Sequence, residues 1–282
     1  MDLLQIIFMG IVQGLSEFLP ISSSAHLVFT SNFYKVFNNM PIHQQSNMEV
    51  FVDIMLHLGT LIAVLIYFRK EVWEILSALI EGIKKKDYST HNCKLGLYIM
   101  LGTVITVLIA FPINEVAEKL VYSPIIVGIL LILTGILLFA SESYSNKLST
   151  KSDSMDFKTS ILMAIAQGLA ALPGFSRSGW TIATGLFNKI DRVTAAKYSF
   201  LLSIPIILGA SMVYPFVKID MKELVSYNWT DIIIGTIVSG VVGYLCIKYF
   251  LKFLGKYSLK VFAYYCVIAG IFTSVFFTLY KL

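Results

Sequence analysis

Two short polar stretches interrupt an otherwise apolar chain: QGLSEFLPISSSAHL, residues 13–27, and ALPGFSRSGWT, residues 171–181. In the second, Arg177 follows the chain-breaking pair Pro173-Gly174, after which a helix is expected to restart. A helix N-terminus offers free N–H groups to phosphate oxygens, and a guanidinium grips phosphate through two parallel bonds. With the hydroxyls of Ser176 and Ser178 beside it, Arg177 reads as the centre of an anion cradle. A blander reading is a structural ion pair with Glu17. An arginine at membrane depth costs at least about 2.5–3.5 kcal/mol on insertion scales and usually marks function.

In the first stretch, Glu17 is the only carboxylate, and Gln13 precedes it by four residues, on the same face of a helix. A carboxylate beside an anion cradle repels the anion unless a divalent cation intervenes. Mg²⁺ is typically held this way, by one or two carboxylates and the substrate's own phosphates. Two other readings of Glu17 stand: the proton-carrying glutamate of a transporter, or a mere partner for Arg177.

Pro20 then breaks the chain, and Ser22, Ser23 and Ser24 fall where the next helix should begin. Serines there are most simply an N-cap. His26, four residues after Ser22 and three after Ser23, is within reach on one helical face. A Ser–His pair offers nucleophile and base, although the sequence names no third residue to orient it. Asp53 and His57, in VFVDIMLHLGT, are four apart at the outer end of an apolar run. They read equally as a second carboxylate and proton carrier facing the same cavity, or as an interfacial hydrogen-bonded pair.

What positions these residues is a membrane scaffold. The chain has 282 residues, is 57% hydrophobic and 14% charged, and has a mean hydropathy of +0.77. A soluble domain carries nearer a quarter charged residues. The expectation is an all-α polytopic membrane protein whose partner is the lipid bilayer. The net charge of +5 fits cytoplasmic loops and implies no nucleic acid. Cys93, Cys246 and Cys266 lie far apart, which gives neither a zinc site nor a disulfide framework. No Lys or Arg precedes Lys35, so the N-terminal apolar run lacks the basic start of a signal peptide and is expected to be retained.

Six stretches read as transmembrane helices: 50–68, 95–115, 122–141, 198–217, 231–252 and 260–280. Two more, 3–30 and 160–186, are broken by Pro, Gly and polar residues, and read as re-entrant helical hairpins. A shift of 154 residues superposes them. Met9, Ile11, Gln13-Gly14-Leu15, Ser22, Ser24 and Thr30 then match Met163, Ile165, Gln167-Gly168-Leu169, Ser176, Ser178 and Thr184. The chain therefore reads as one membrane domain, 1–282, made of repeat one (1–141), a cytoplasmic connector (142–159) and repeat two (160–282). One hairpin plus three spans per copy inverts the second copy, an inverted-topology repeat whose polar site lies where the copies meet. In that register Ser23 aligns with Arg177, His26 with Trp180 and Glu17 with Ala171, so the copies have specialised toward one composite site.

Basic residues orient the scaffold. With the loop 69–94 inside, sixteen Lys and Arg fall inside and only Lys35, Lys119, Lys218, Lys222 and Lys281 outside, Arg177 lying within a hairpin. The positive-inside rule favours that arrangement. The first hairpin then enters from outside and the second from the cytoplasm.

QGLSEFLPISSSAH resembles the (E/Q)xxxE segment and following serine-rich stretch of the bacitracin-resistance undecaprenyl-diphosphate phosphatases. ALPGFSRSGWT resembles that family's PGxSRSxxT motif. The resemblance runs over essentially the whole chain, including 51–68 and 195–210. It implies a multi-pass enzyme of the cell membrane, its active site facing outward. Such an enzyme removes the terminal phosphate of undecaprenyl diphosphate so that the undecaprenyl phosphate carrier is reused in cell-wall synthesis. It implies a divalent cation, Mg²⁺ or Ca²⁺, and bacitracin resistance, because bacitracin sequesters the diphosphate form. The family's metal-associated pair maps to Gln13 and Glu17, its Ser/His residues to Ser23 and His26, and its phosphate-binding arginine to Arg177. Ser22, Ser24, Ser176, Ser178 and Thr181 are then expected around the phosphates. Gln13 stands where many relatives have Glu, which removes a charge from the metal site. Ser24 replaces Thr and keeps the hydroxyl; Val52 replaces a frequent Phe without obvious consequence.

The expected chemistry is attack by Ser23 on the terminal phosphorus, His26 carrying the proton, with water or His26 itself as alternative nucleophiles. The rival class is a secondary transporter or lipid-carrier flippase, which inverted repeats suit equally well. The sequence leaves the oligomeric state, a homodimer included, open.

Overall fold

The computed structural model describes residues 3–38, 47–218 and 227–280, the side chains of 214–218 excepted. Lys222 and Lys281, assigned above to the outer side, lie outside these residues. The described residues form helices α1 (Leu3–Ser16), α2 (Ser23–Phe37), α3 (Asn47–Tyr67), α4 (Arg69–Lys85), α5 (His91–Leu120) and α6 (Pro124–Ser145). After the connector come α7 (Phe157–Leu169), α8 (Arg177–Phe187), α9 (Arg192–Lys218), α10 (Trp229–Leu254) and α11 (Lys260–Leu279). Helices α3, α5, α6, α9, α10 and α11 are long and apolar enough to cross a bilayer. They coincide with the six expected spans, and the architecture is that of an all-α polytopic membrane protein.

The two broken stretches are helix pairs, α1/α2 and α7/α8, each interrupted where Pro stands. A proline disfavours helical backbone in the residue before it, so α1 stops at Ser16 ahead of Pro20 and α7 at Leu169 ahead of Pro173. Each second helix restarts on a capping serine. Ser22 Oγ accepts from Ala25 N at 3.3 Å, and Ser176 Oγ accepts from Gly179 N at 3.1 Å. Ser22 does so at φ 68°, a conformation that non-glycine residues rarely hold. Gly174 turns the second break at φ 101°, where an added Cβ would also lie 2.5 Å from Val127 O.

The shared Gln-Gly-Leu has a packing reason. A Cβ on Gly14 would lie 2.7 Å from Ser239 O of α10, and one on Gly168 would lie 2.7 Å from Ile109 Cβ of α5. Each hairpin's first helix thus seats its backbone on a span of the other half: α1 on α10 and α7 on α5. Small residues permit such close approach between membrane helices. Phe18, at the first break, is fully buried and meets Phe200 of α9 edge-on with centroids 5.2 Å apart.

The segment 69–94, expected as a loop, instead holds helix α4. Its charges recur too often for a span, but its apolar residues recur at helical spacing.

Candidate active site

The two breaks meet tip to tip. Ser178 Oγ donates to Leu19 O at 2.9 Å, and Ser22 Oγ to Phe175 O at 3.4 Å, so each hairpin satisfies a carbonyl freed in the other's break. Beside this contact, Arg177 Nη2 donates to Glu17 Oε1 at 2.7 Å and Arg177 Nη1 to Ser199 O at 3.2 Å. Glu17 Oε2 accepts from Ser23 Oγ at 2.7 Å and from Gln13 Nε2 at 3.0 Å, and faces His57 Nε2 at 3.6 Å. Glu17, Ser23, Ser24, Asp53, His57 and Arg177 all line one cavity of about 650 Å³. It extends along α2 and α3 to the pair formed by buried Lys35 and partly buried Glu49, joined at 3.0 Å.

The sequence-predicted residues divide. Glu17, Ser23 and Arg177 converge as expected, although the ion-pair reading of Glu17 and Arg177 holds as well. His26 does not join them. Its Nδ1 lies 2.8 Å from Ser22 O and its Nε2 2.7 Å from Tyr265 OH, with the two rings stacked at 5.6 Å. At the start of α2 Ser23 and His26 point to different partners, Ser23 to Glu17 and His26 to Tyr265 of α11. The expected Ser23–His26 pair is therefore replaced by Ser23–Glu17, with His57 as the nearby imidazole. Asp53 contributes its backbone carbonyl, which accepts from or faces His57 Nδ1 at 2.8 Å.

Among the expected phosphate hydroxyls, Ser24 and Ser176 line the cavity. Ser22, Ser178 and Thr181 are instead spent on structure: the first two on the tip contacts, and Thr181 on Ser199 Oγ at 2.6 Å and Arg177 O at 2.8 Å. Two supporting residues escaped the sequence reading. Thr134 of α6 receives Ser176 N and Trp180 Nε1, both at 3.2 Å, and Ser199 of α9 holds Arg177 through its carbonyl. Their signal was a buried hydroxyl inside an apolar span, which many structural Ser and Thr also give.

No cluster of three His, Cys, Asp or Glu suited to a metal occurs among the described residues. The oxygen donors present nonetheless fit a hard cation that arrives with substrate phosphates: one carboxylate, the Ser23 hydroxyl and the Gln13 carbonyl. Gln13 is fully buried and its Oε1 has no hydrogen-bond partner. An orphaned buried acceptor is unfavourable and asks for a ligand.

The comparisons agree with one another. The family model described as Bacitracin resistance protein BacA matches residues 6–272. A protein of Halothermothrix orenii named Undecaprenyl-diphosphatase is 39% identical over 276 residues, 96% of each chain. Proteins of the same name from Methanosphaera stadtmanae and Methanobrevibacter smithii are 36% and 39% identical, over 98% and 96% of each chain respectively. The matched span includes the second hairpin, all but the first three residues of the first, and every residue lining the cavity. This chain therefore belongs to the BacA family of bacitracin resistance proteins.

Proposed function

We propose that the chain is a membrane undecaprenyl-diphosphate phosphatase whose active site is the tip-to-tip junction of the two hairpins. The family and the names of its relatives support the reaction, recycling of the carrier lipid and bacitracin resistance. One observation carries the site: Ser23 Oγ and Arg177 Nη2 occupy the two oxygens of a single carboxylate, Glu17, at a cavity wall. Nucleophile, base and phosphate-binding cation are thereby assembled on one group. The inverted repeat is part of this reading, supported by the exchange of equivalent helices in the α1–α10 and α7–α5 contacts.

The terminal phosphoryl group enters between Ser23 and Arg177 while the prenyl chain stays in lipid. Ser23 Oγ attacks the terminal phosphorus and passes its proton to Glu17. The bond from that phosphorus to the bridging oxygen breaks, and undecaprenyl phosphate leaves with the electron pair. Arg177 stabilises the charge on the transferring group, where a preorganised donor is worth most. Water then attacks the phosphorus on Ser23, releasing orthophosphate and restoring the hydroxyl. His57, beside the same Glu17 oxygen, carries the proton onward. A divalent cation, Mg²⁺ or Ca²⁺, held by Glu17 and Gln13, would offset phosphate charge against the Glu17 carboxylate. The outward-facing site in the plasma membrane rests on the distribution of Lys and Arg.

The deciding experiment uses purified protein in detergent micelles with undecaprenyl diphosphate. Micelles have no compartments, so phosphate released there is hydrolysis. A flippase or transporter releases none, and that result would end the proposal.

A further inference from the structure

Helix α4 has three faces. Ile75 and Leu79 face α5, at Gly96, and Gly82 lies against Cys93 of the same helix. Glu74, Ser77, Glu81 and Lys85 form an exposed polar face, along which Lys85 pairs with Glu81. Trp73, Leu76, Ile80 and Ile83, spaced by three and four residues, form an apolar face that is 71%, 49%, 55% and 66% exposed. No described residue covers it. Arg69 begins this face one turn before Trp73, and Lys84 closes it beside Ile83, both exposed. The acidic residues Glu71, Glu74 and Glu81 all point elsewhere at helical spacing.

We propose that α4 lies in the membrane–water boundary, its apolar face seated in the acyl region and its terminal cations on anionic phospholipid headgroups. Continuity of the chain argues for lipid as the occupant. The membrane-long α3 ends at Tyr67, two residues before α4 begins, and the apolar run of α5 opens at Leu95, level with the Ile75 and Leu79 contact. α4 therefore sits where two spans leave the bilayer. A helix that divides apolar, polar and basic residues in this way binds such a boundary, and tryptophan favours that depth. The charge pattern argues for anionic headgroups, since cations bracket the face while acids avoid it. The orientation proposed above would put this boundary on the cytoplasmic side; the lipid contact does not depend on that orientation or on the phosphatase activity.

The test is spin labelling of the full-length protein in nanodiscs of phosphatidylglycerol and phosphatidylcholine. The three native cysteines are buried, so labels attach to single cysteines introduced at positions 73, 76, 80 and 83, or at 74, 77 and 81. The first set is expected to be severalfold more accessible to oxygen, and the second to a water-soluble nickel chelate. Shielding of the first set from both reagents would mean a second copy or another protein covers the face. Nickel access at those positions would mean that it stands in water. Either overturns the proposal. For the headgroups, the variant Arg69→Gln/Lys84→Gln should lower the preference for spin-labelled phosphatidylglycerol over phosphatidylcholine, by up to about fivefold per charge removed. An unchanged preference overturns the anionic part. Phosphate release in detergent, which uses none of these residues, checks that each variant is folded.

Discussion

Arg177 Nη2 and Glu17 Oε1 lie 2.7 Å apart although 160 residues separate them in the chain. One comes from each hairpin, and Glu17 also faces His57 Nε2 at 3.6 Å. A buried ion pair gains little net stability over an apolar replacement, whereas removing one partner strands the other. In the reaction proposed above, the pair is the resting arrangement of charges that a phosphorylated headgroup would engage.

Replacing Arg177 tests that view. Arg177→Ala should lower turnover in detergent by about 10²–10³-fold, the usual loss for a transition-state donor. Arg177→Lys should recover only part of it, because an ammonium cannot reproduce the planar fork. Near-normal turnover of the alanine variant would remove Arg177 from the site.

Ser23→Ala should abolish phosphate release, while Ser24→Ala, which removes a hydroxyl that pairs with Ser22 Oγ at 3.2 Å and not with Glu17, should lose far less. Rapid quenching with substrate labelled in its terminal phosphate should trap label on Ser23. Full activity of Ser23→Ala would show that water attacks directly.

The two histidines should behave differently. His57→Gln removes the imidazole beside Glu17 and should change the pH profile of turnover. His26 acts through the Ser22 turn and Tyr265, so His26→Ala should lower kcat with little change in KM. Tyr265→Phe, which removes the hydroxyl that holds the ring, should show part of the same loss. Should Tyr265→Phe be silent while His26→Ala alters the pH profile, His26 carries the proton itself.

Chelation should suppress phosphate release, and adding back Mg²⁺ or Ca²⁺ should restore it. Gln13→Glu restores a second carboxylate beside Glu17 and should lower the cation concentration needed for half-maximal activity. Turnover indifferent to strong chelators would exclude the cation assigned to Glu17 and Gln13.

Gly14→Ala places a Cβ 2.7 Å from Ser239 O, and Gly168→Ala one 2.7 Å from Ile109 Cβ. Overpacking of this kind typically destabilises by about 1–3 kcal/mol. Thermal unfolding in detergent should shift down for both variants, and Gly14→Ala, nearer the active carboxylate, should also lower turnover.

Much of this protein was legible in its sequence. Apolar length alone marks the six spans, because a bilayer admits only backbone that satisfies itself. The Pro and Gly in 13–27 and 171–181 mark the breaks for the same reason, and a charge as costly as Arg177 marks the site. Side-chain direction was not legible. Ser23 and His26 sit three residues apart at the head of α2, where spacing puts them within reach of each other. Ser22 at φ 68° and the neighbouring α11 send the two apart. Which hydroxyls bind ligand and which lock the hairpins depends on carbonyls more than 150 residues away, as with Ser178 on Leu19 O. Linear spacing determined the elements and the kinds of group available; only packing of helices against one another, within the first half for Ser23 and His57 and between the halves for Arg177, decided that Glu17 would meet all three at once, since each contact is made across a helix boundary that no local rule encodes.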